Sequence, residues 1–211
     1  MNLQGKTVNV LGDSITHGHG VSSPEHTYAA VMGRIVGVKE IRNFGVCGSR
    51  IAKRREVFGE PFTVRYKDMP DDADLVLVFG GTNDYGTAEI PFGNPTDTTD
   101  DTFCGACHVL FRGLIEKYPT TPIVILTPLQ RTGCTLPSNR GPVGRPLIEY
   151  VDAIMEIAAM YSLPVLDLYR TAGIAADMPI QQKLYMPDGL HLNDEGARRV
   201  GARLAAFLTT L

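Results

Sequence analysis

Leu75-Val76-Leu77-Val78-Phe79-Gly80-Gly81-Thr82-Asn83-Asp84 sets the architecture of the chain. It opens with an unbroken apolar run of strand length and stops at a glycine pair. An amphipathic strand would alternate apolar and polar residues. A continuous run has to bury both faces, as the strands of a parallel sheet covered by helices do. Thr7-Val8-Asn9-Val10-Leu11 before Gly12 and Pro122–Leu126 before Thr127-Pro128 read the same way. Glu40–Asn43 is a weaker strand, and Val165–Leu168 is the last one. Helical periodicity fills the intervals at Tyr28–Val36, Phe103–Tyr118, Leu147–Tyr161 and Asn193–Leu208. Asn193 is placed to cap the last of these, with Asp194 and Glu195 in its first turn. Strands alternating with helices predict an α/β sandwich built on a parallel sheet.

The chain has 211 residues, 44% hydrophobic and 20% charged, with 20 Lys plus Arg against 23 Asp plus Glu. That length predicts one domain over residues 1–211 with an ordinary core, and the composition excludes a disordered, collagen-like or coiled-coil chain. A net charge of −3 argues against a nucleic-acid partner. No apolar run is long enough for a bilayer span, and the first residues carry no signal-peptide-like core, so the expectation is a cytoplasmic protein with no membrane partner. Cys47, Cys104, Cys107 and Cys134 are too sparse for a disulfide framework. Nothing in the sequence sets an oligomeric state.

Ligands of open α/β sheets bind beyond the carboxyl ends of the strands, so the residues that follow each strand carry the functional reading. They are Gly12-Asp13-Ser14-Ile15-Thr16, then Asn43–Ser49 with Gly48, then Gly80–Asp84. A fourth polar cluster, Asp188-Gly189-Leu190-His191, stands just before the last helix.

Over almost the whole chain these segments resemble the SGNH (GDSL-type) hydrolase family. The family's G-D-S block matches Gly12-Asp13-Ser14, and its second-block glycine matches Gly48. Its G-x-N-D block matches Gly81-Thr82-Asn83-Asp84, and its D-x-x-H block matches Asp188-Gly189-Leu190-His191. Each motif alone is weak, but all of them in order within a β/α pattern are specific. The resemblance implies a flavodoxin-like three-layer α/β/α sandwich with a five-stranded parallel sheet in the order 2-1-3-4-5. It implies Ser14 as nucleophile, His191 as base and then acid, and Asp188 as the group that orients the imidazole. It further implies an oxyanion hole from the Ser14 N–H, the Gly48 N–H and the Asn83 amide, with no cofactor and no metal.

The residue types suit that chemistry on their own terms. A serine hydroxyl is a poor nucleophile until a base takes its proton, and a carboxylate can hold the imidazole in the required tautomer. Gly48 lets backbone approach a substrate oxygen, and Asn83 donates without carrying charge. Plainer readings stand beside these. Ser14 can simply cap a helix, Asn83-Asp84 and Asp188-Gly189 can be ordinary turns, and His191 can be a surface histidine. Asp13 and Asp84 are read as supporting residues that bond nearby backbone N–H groups. The elbow G-x-S-x-G of α/β-hydrolases is absent.

Other features are weaker. His17-x-His19 lacks a third metal ligand in sequence, and Cys104-x-x-Cys107 lacks a second pair, so surface or substrate-loop histidines and buried or half-buried thiols are expected. Lys53-Arg54-Arg55 reads as a solvated face, with attraction of an anionic substrate as the alternative. The loops Tyr85–Thr102 and Arg131–Pro146 are long and polar, carrying Asn94, Asp97, Asp100, Asp101, Arg131, Asn139, Arg140 and Arg145. Loops of that length in a compact domain are often functional. Their composition points to a short acyl group, such as acetyl, on a carbohydrate or other small polar alcohol. The same site could serve a thioesterase or lysophospholipase. A non-catalytic binding protein of the same fold is the alternative from another class, and a flavodoxin-type cofactor binder lacks the phosphate-binding loop it would need.

Overall fold

The structure, a computed structural model, describes residues 1–53, 60–87, 89–135 and 139–211. Its centre is a sheet of five parallel strands: β1 (Thr7–Gly12), β2 (Glu40–Gly45), β3 (Leu75–Phe79), β4 (Ile123–Leu126) and β5 (Val165–Leu166). Their order across the sheet is β2-β1-β3-β4-β5, as expected. The apolar run Leu75–Phe79 is the central strand. Val76 and Val78 point to one face, and Leu75, Leu77 and Phe79 to the other, all five buried. Fully burying such a side chain stabilises the fold by roughly 1.5–3 kcal/mol, so a strand with two apolar faces holds two helical layers at once.

One layer contains α2 (Tyr28–Val36) and α9 (Asp194–Leu208), which pack on each other and on Val8, Val10, Leu75 and Leu77. The other contains α5 (Phe103–Lys117) and α6 (Leu147–Met160), with Phe103, Leu110, Tyr150 and Ile154 against Val76, Val78 and Ile125. Asn193 caps α9 as the sequence predicts, and Thr27 and Thr102 cap α2 and α5 in the same way. Thr27 Oγ1 accepts from Ala30 N–H, Thr102 Oγ1 from Gly105 N–H and Asn193 Oδ1 from Gly196 N–H, at 3.3, 3.1 and 3.0 Å. Each satisfies a backbone donor that the first helical turn would leave orphaned.

Five short helices were not legible from periodicity: α1 (Ser14–His17), α3 (Phe62–Arg65), α4 (Thr82–Tyr85), α7 (Leu168–Thr171) and α8 (Pro179–Tyr185). Most are single turns, too short for a 3.6-residue repeat to show. The last strand is shorter than expected. It ends at Leu166 because Asp167 caps α7, its carboxylate accepting from Arg170 N–H at 3.1 Å. Two of the single turns, α1 and α4, follow β1 and β3 directly and carry Ser14 and Asn83 to the carboxyl edge of the sheet. No described helix is long and apolar enough to cross a membrane.

Candidate active site

Ser14 is the first residue of α1, immediately past β1, and is buried to 6% exposure. Asp13 is the N-cap, its Oδ1 accepting from Ile15 N–H at 2.9 Å. Asp13 thereby caps the helix that carries the serine. Asp13 is fully buried, and desolvation pushes its carboxyl up to about 7, against the bond from Ile15 and the nearby Arg65 guanidinium. Among the described residues the Ser14 N–H meets no acceptor.

The Ser14 hydroxyl lies 2.9 Å from His191 Nε2, and His191 Nδ1 lies 2.6 Å from Asp188 Oδ2. These residues are separated by up to 177 positions in the chain. The tautomer follows from the partners. A carboxylate only accepts, so Nδ1 carries the proton and Nε2 presents its lone pair to the Ser14 O–H. Asp188 Oδ1 also accepts from Leu190 N–H and His191 N–H, at 2.9 and 2.7 Å. Partial burial would raise the Asp188 carboxyl, but the bonds from His191 backbone, His191 ring and Leu190 outweigh it and hold it below its ordinary value. It is therefore a carboxylate at neutral pH. The polar Arg131 loop pins this segment from outside, Thr132 N–H donating to Gly189 O at 2.9 Å.

Asn83 stands on α4, half-buried, with its Nδ2 donating to Ser49 O at 3.0 Å and its second amide hydrogen left over. Gly48 lies one residue earlier, in an exposed turn closed by Ser49 N–H to Val46 O at 3.1 Å. Its φ of +74° is the conformation that favours glycine, and the space where a Cβ would stand is open. Gly48 makes no hydrogen bond to Ser14, Asn83 or His191. It joins the site through Ser49, and its N–H meets no acceptor among the described residues. Asp84, fully buried, forks onto the same loop, accepting from Ile51 N–H at 3.0 Å and Ala52 N–H at 2.9 Å. Burial pushes its carboxyl up to about 6, with those two bonds opposing.

Two arginines tie these segments together; sequence reasoning missed Arg65 and read Arg131 only as part of a polar loop. Arg65 donates to Phe44 O and Gly12 O at 2.7 Å each, to Glu60 O at 3.0 Å and to Ser49 Oγ at 3.2 Å. It therefore clamps the ends of β1 and β2 to the Gly48-Ser49 loop. Arg131 donates to Thr82 O and Oγ1 at 3.2 and 3.3 Å, holding the start of α4. Nothing local in the sequence marks either role, because the partners that make the clamps, Gly12, Phe44 and Thr82, lie 21 to 53 positions away in the chain.

The sequence model of the GDSL-like Lipase/Acylhydrolase family matches residues 10–199. The chain belongs to this family. It is accordingly a GDSL-type serine hydrolase that acts on ester bonds, and the fold agrees. A solved protein from Lactobacillus plantarum is 33% identical, with 98% of each chain covered and a TM-score of 0.87. A protein described as a possible lipase from Chitinophaga pinensis is 21% identical, covering 97% of this chain and 98% of its own, with a TM-score of 0.76. A carbohydrate acetylesterase family member from Sinorhizobium meliloti is 20% identical, covering 97% and 98%, with a TM-score of 0.66. No curated protein matches the chain.

The remaining candidates of this GDSL hydrolase fall out as follows. Cys104 and Cys107 are buried in the core, where desolvation pushes the first thiol up to about 11 and the second well above its ordinary value. Neither is a thiolate near neutral pH. His17 is exposed, its Nδ1 3.3 Å from Gly45 O. His19 is exposed too, but its ring stands edge-on to His191 with centroids 4.3 Å apart. The partners that sequence spacing did not supply to His19 come from the fold, without His17: one donor atom each of His19, Asp188 and His191 lies within 4.8 Å of the others. Several polar residues of the long loops are engaged within the protein. Asp97 accepts from Asn94 N–H and Thr102 Oγ1, Asp100 from Thr63 Oγ1, and Arg145 pairs with Glu149. Arg54 and Arg55 lie outside the described residues.

Proposed function

We propose that this hydrolase cleaves carboxylic esters through an acyl-enzyme on Ser14, with short acyl groups such as acetyl on a carbohydrate or other small polar alcohol. The observation that carries the mechanism is the unbroken path from Ser14 Oγ through His191 to the Asp188 carboxylate, at 2.9 and 2.6 Å. Ser14 attacks the carbonyl carbon and its proton passes to His191 Nε2. Asp188 stabilises the imidazolium and keeps Nδ1 protonated. The same imidazolium then protonates the departing alkoxide. A water molecule repeats the sequence on the acyl-serine and releases the acid. The tetrahedral oxyanion is taken by the Ser14 N–H, the Gly48 N–H and the spare Asn83 amide hydrogen. Donors without protein acceptors are preorganised for a charge that exists only near the transition state.

The short-acyl reading rests on the polar loops that follow β3 and β4. A second reading, a lysophospholipase or thioesterase using the same residues, draws on α8. That helix leads into the Asp188 loop with Ile180 70% and Leu184 48% exposed, a pattern that suits a longer chain.

The test has two arms. Ser14→Ala should lose on the order of 10⁶ in turnover while remaining folded, and a fluorophosphonate should label Ser14 alone. Full activity in the alanine variant removes the nucleophile assignment. Against p-nitrophenyl esters of increasing length and acetylated sugars, each methylene should change discrimination by about 1–3 kcal/mol, with acetyl preferred. An optimum at medium or long acyl chains replaces the first reading with the second.

A further inference from the structure

We infer that His19, Asp188 and His191 form an inhibitory zinc site at the mouth of the active centre. The inhibition rests on the proposed Ser14–His191–Asp188 path, whereas the metal site itself rests only on geometry. Two imidazoles and a carboxylate are a donor set that zinc takes with a water molecule in the fourth position. Their donor atoms already lie within 4.8 Å of one another. Around a tetrahedral zinc with bonds of about 2.0–2.2 Å the donors stand roughly 3.3 Å apart, so the wider separations must close modestly and the 2.6 Å Nδ1–Oδ2 pair must open by less than about 1 Å. The exposed His19 ring and the Asp188 side chain, 50% exposed, have the freedom to make both shifts.

The placement of His19 is not that of a wandering surface side chain. Its N–H donates to Ser14 O at 2.9 Å. It sits between Gly18 and Gly20, both with left-handed φ, at +101° and +98°. A Cβ at position 20 would stand 2.7 Å from Leu192 O and 3.2 Å from His191 Cβ. The glycine therefore allows the His19 loop to lie directly on the His191 loop, holding the three donors together before any metal arrives. His17, the other half of the H-x-H pair, is turned toward Gly45 O and contributes nothing.

Zinc on either nitrogen of His191 stops proton transfer. At Nδ1 it replaces the proton shared with Asp188, which leaves to solvent, and Asp188 becomes a ligand instead of an orienter. At Nε2 it occupies the lone pair that Ser14 needs.

The experiment starts from EDTA-treated protein, which should be active. Zinc chloride is titrated against p-nitrophenyl acetate hydrolysis, and zinc binding to Ser14→Ala is followed by calorimetry, which needs no activity. Expected are reversible inhibition and one zinc per chain bound to Ser14→Ala. Even outer-shell changes cost about 10–100-fold in metal affinity, so loss of a ligand in His19→Ala should raise the inhibitory zinc concentration at least about tenfold relative to each variant's own uninhibited rate. His19→Gln, which keeps the side-chain bulk, should do the same, and His17→Ala and Cys47→Ser should not. Unchanged zinc sensitivity in both His19 variants, absence of binding to Ser14→Ala, or activation by zinc would each overturn the proposal. An inactive wild type that still binds zinc through His19 would instead refute the esterase reading and leave the metal site standing.

Discussion

Replacing Asp13 with asparagine tests whether the residue that positions Ser14 is held as a buried acid. Asp13 is 1% exposed and its carboxyl is pushed from 3.8 up to about 7, with desolvation the leading cause. In the unfolded chain the same group ionises near its ordinary value. Between those two values the unfolded state has lost the proton and the folded state keeps it. Folding stability contributed by Asp13 is therefore complete below the lower value, falls as pH rises through the window, and stays lost above about 7. At about 1.4 kcal/mol per unit the full loss is at most about 4 kcal/mol, and Asp84 and Arg65 share in it. Asparagine keeps the helix cap, because its Oδ1 can still accept from Ile15 N–H. It does not titrate. The stability of Asp13→Asn relative to wild type should therefore grow by up to about 3 kcal/mol between about pH 4.5 and about pH 8.5, the first part of the loss having occurred below that window. That corresponds to a relative shift on the order of 10 °C in Tm for a chain of this size. Urea melts of both proteins at each pH measure it, and other titrations cancel to first order in the difference. Asp13→Ala should show the same growth from a starting point about 1 kcal/mol lower, since it loses the cap. A pH-independent difference, or a variant that weakens as pH rises, would refute the reasoning and mean that Asp13 is an ordinary carboxylate paired with Arg65.

Asn83→Ala should reduce kcat by about 10²–10³ with little change in KM, because the oxyanion carries its full charge only near the transition state. An unchanged kcat with a lowered Tm would instead assign Asn83 to holding Ser49 through its 3.0 Å bond. Arg65→Met should cost at least about 2 kcal/mol in a urea melt and lower kcat as well, since the carbonyls of Gly12, Phe44 and Glu60 and the Ser49 hydroxyl lose a charged donor. A melt superimposable on wild type would show that water replaces the guanidinium without loss.

The sheet and its layers were readable in the chain because burial on both faces writes itself as an unbroken apolar run, as Leu75–Phe79 and Ile123–Leu126 show. The long helices were readable because their apolar stripes span several turns, and the predicted Tyr28–Val36 matches α2 to the residue. The polar residues that gather at the carboxyl edge were readable too, since parallel strands must deliver whatever follows them to one edge. Three things were decided only in three dimensions. The 2.9 Å approach of Ser14 to His191 joins opposite ends of the chain. The clamps Arg65 and Arg131 bond to carbonyls of segments far from them in sequence. His19 meets Asp188 and His191 only because the Gly20 loop rests on Leu192. A periodic pattern records how each segment meets the core. It holds no information on which distant loop a side chain faces, because that is set by the packing of whole elements and not by the local repeat.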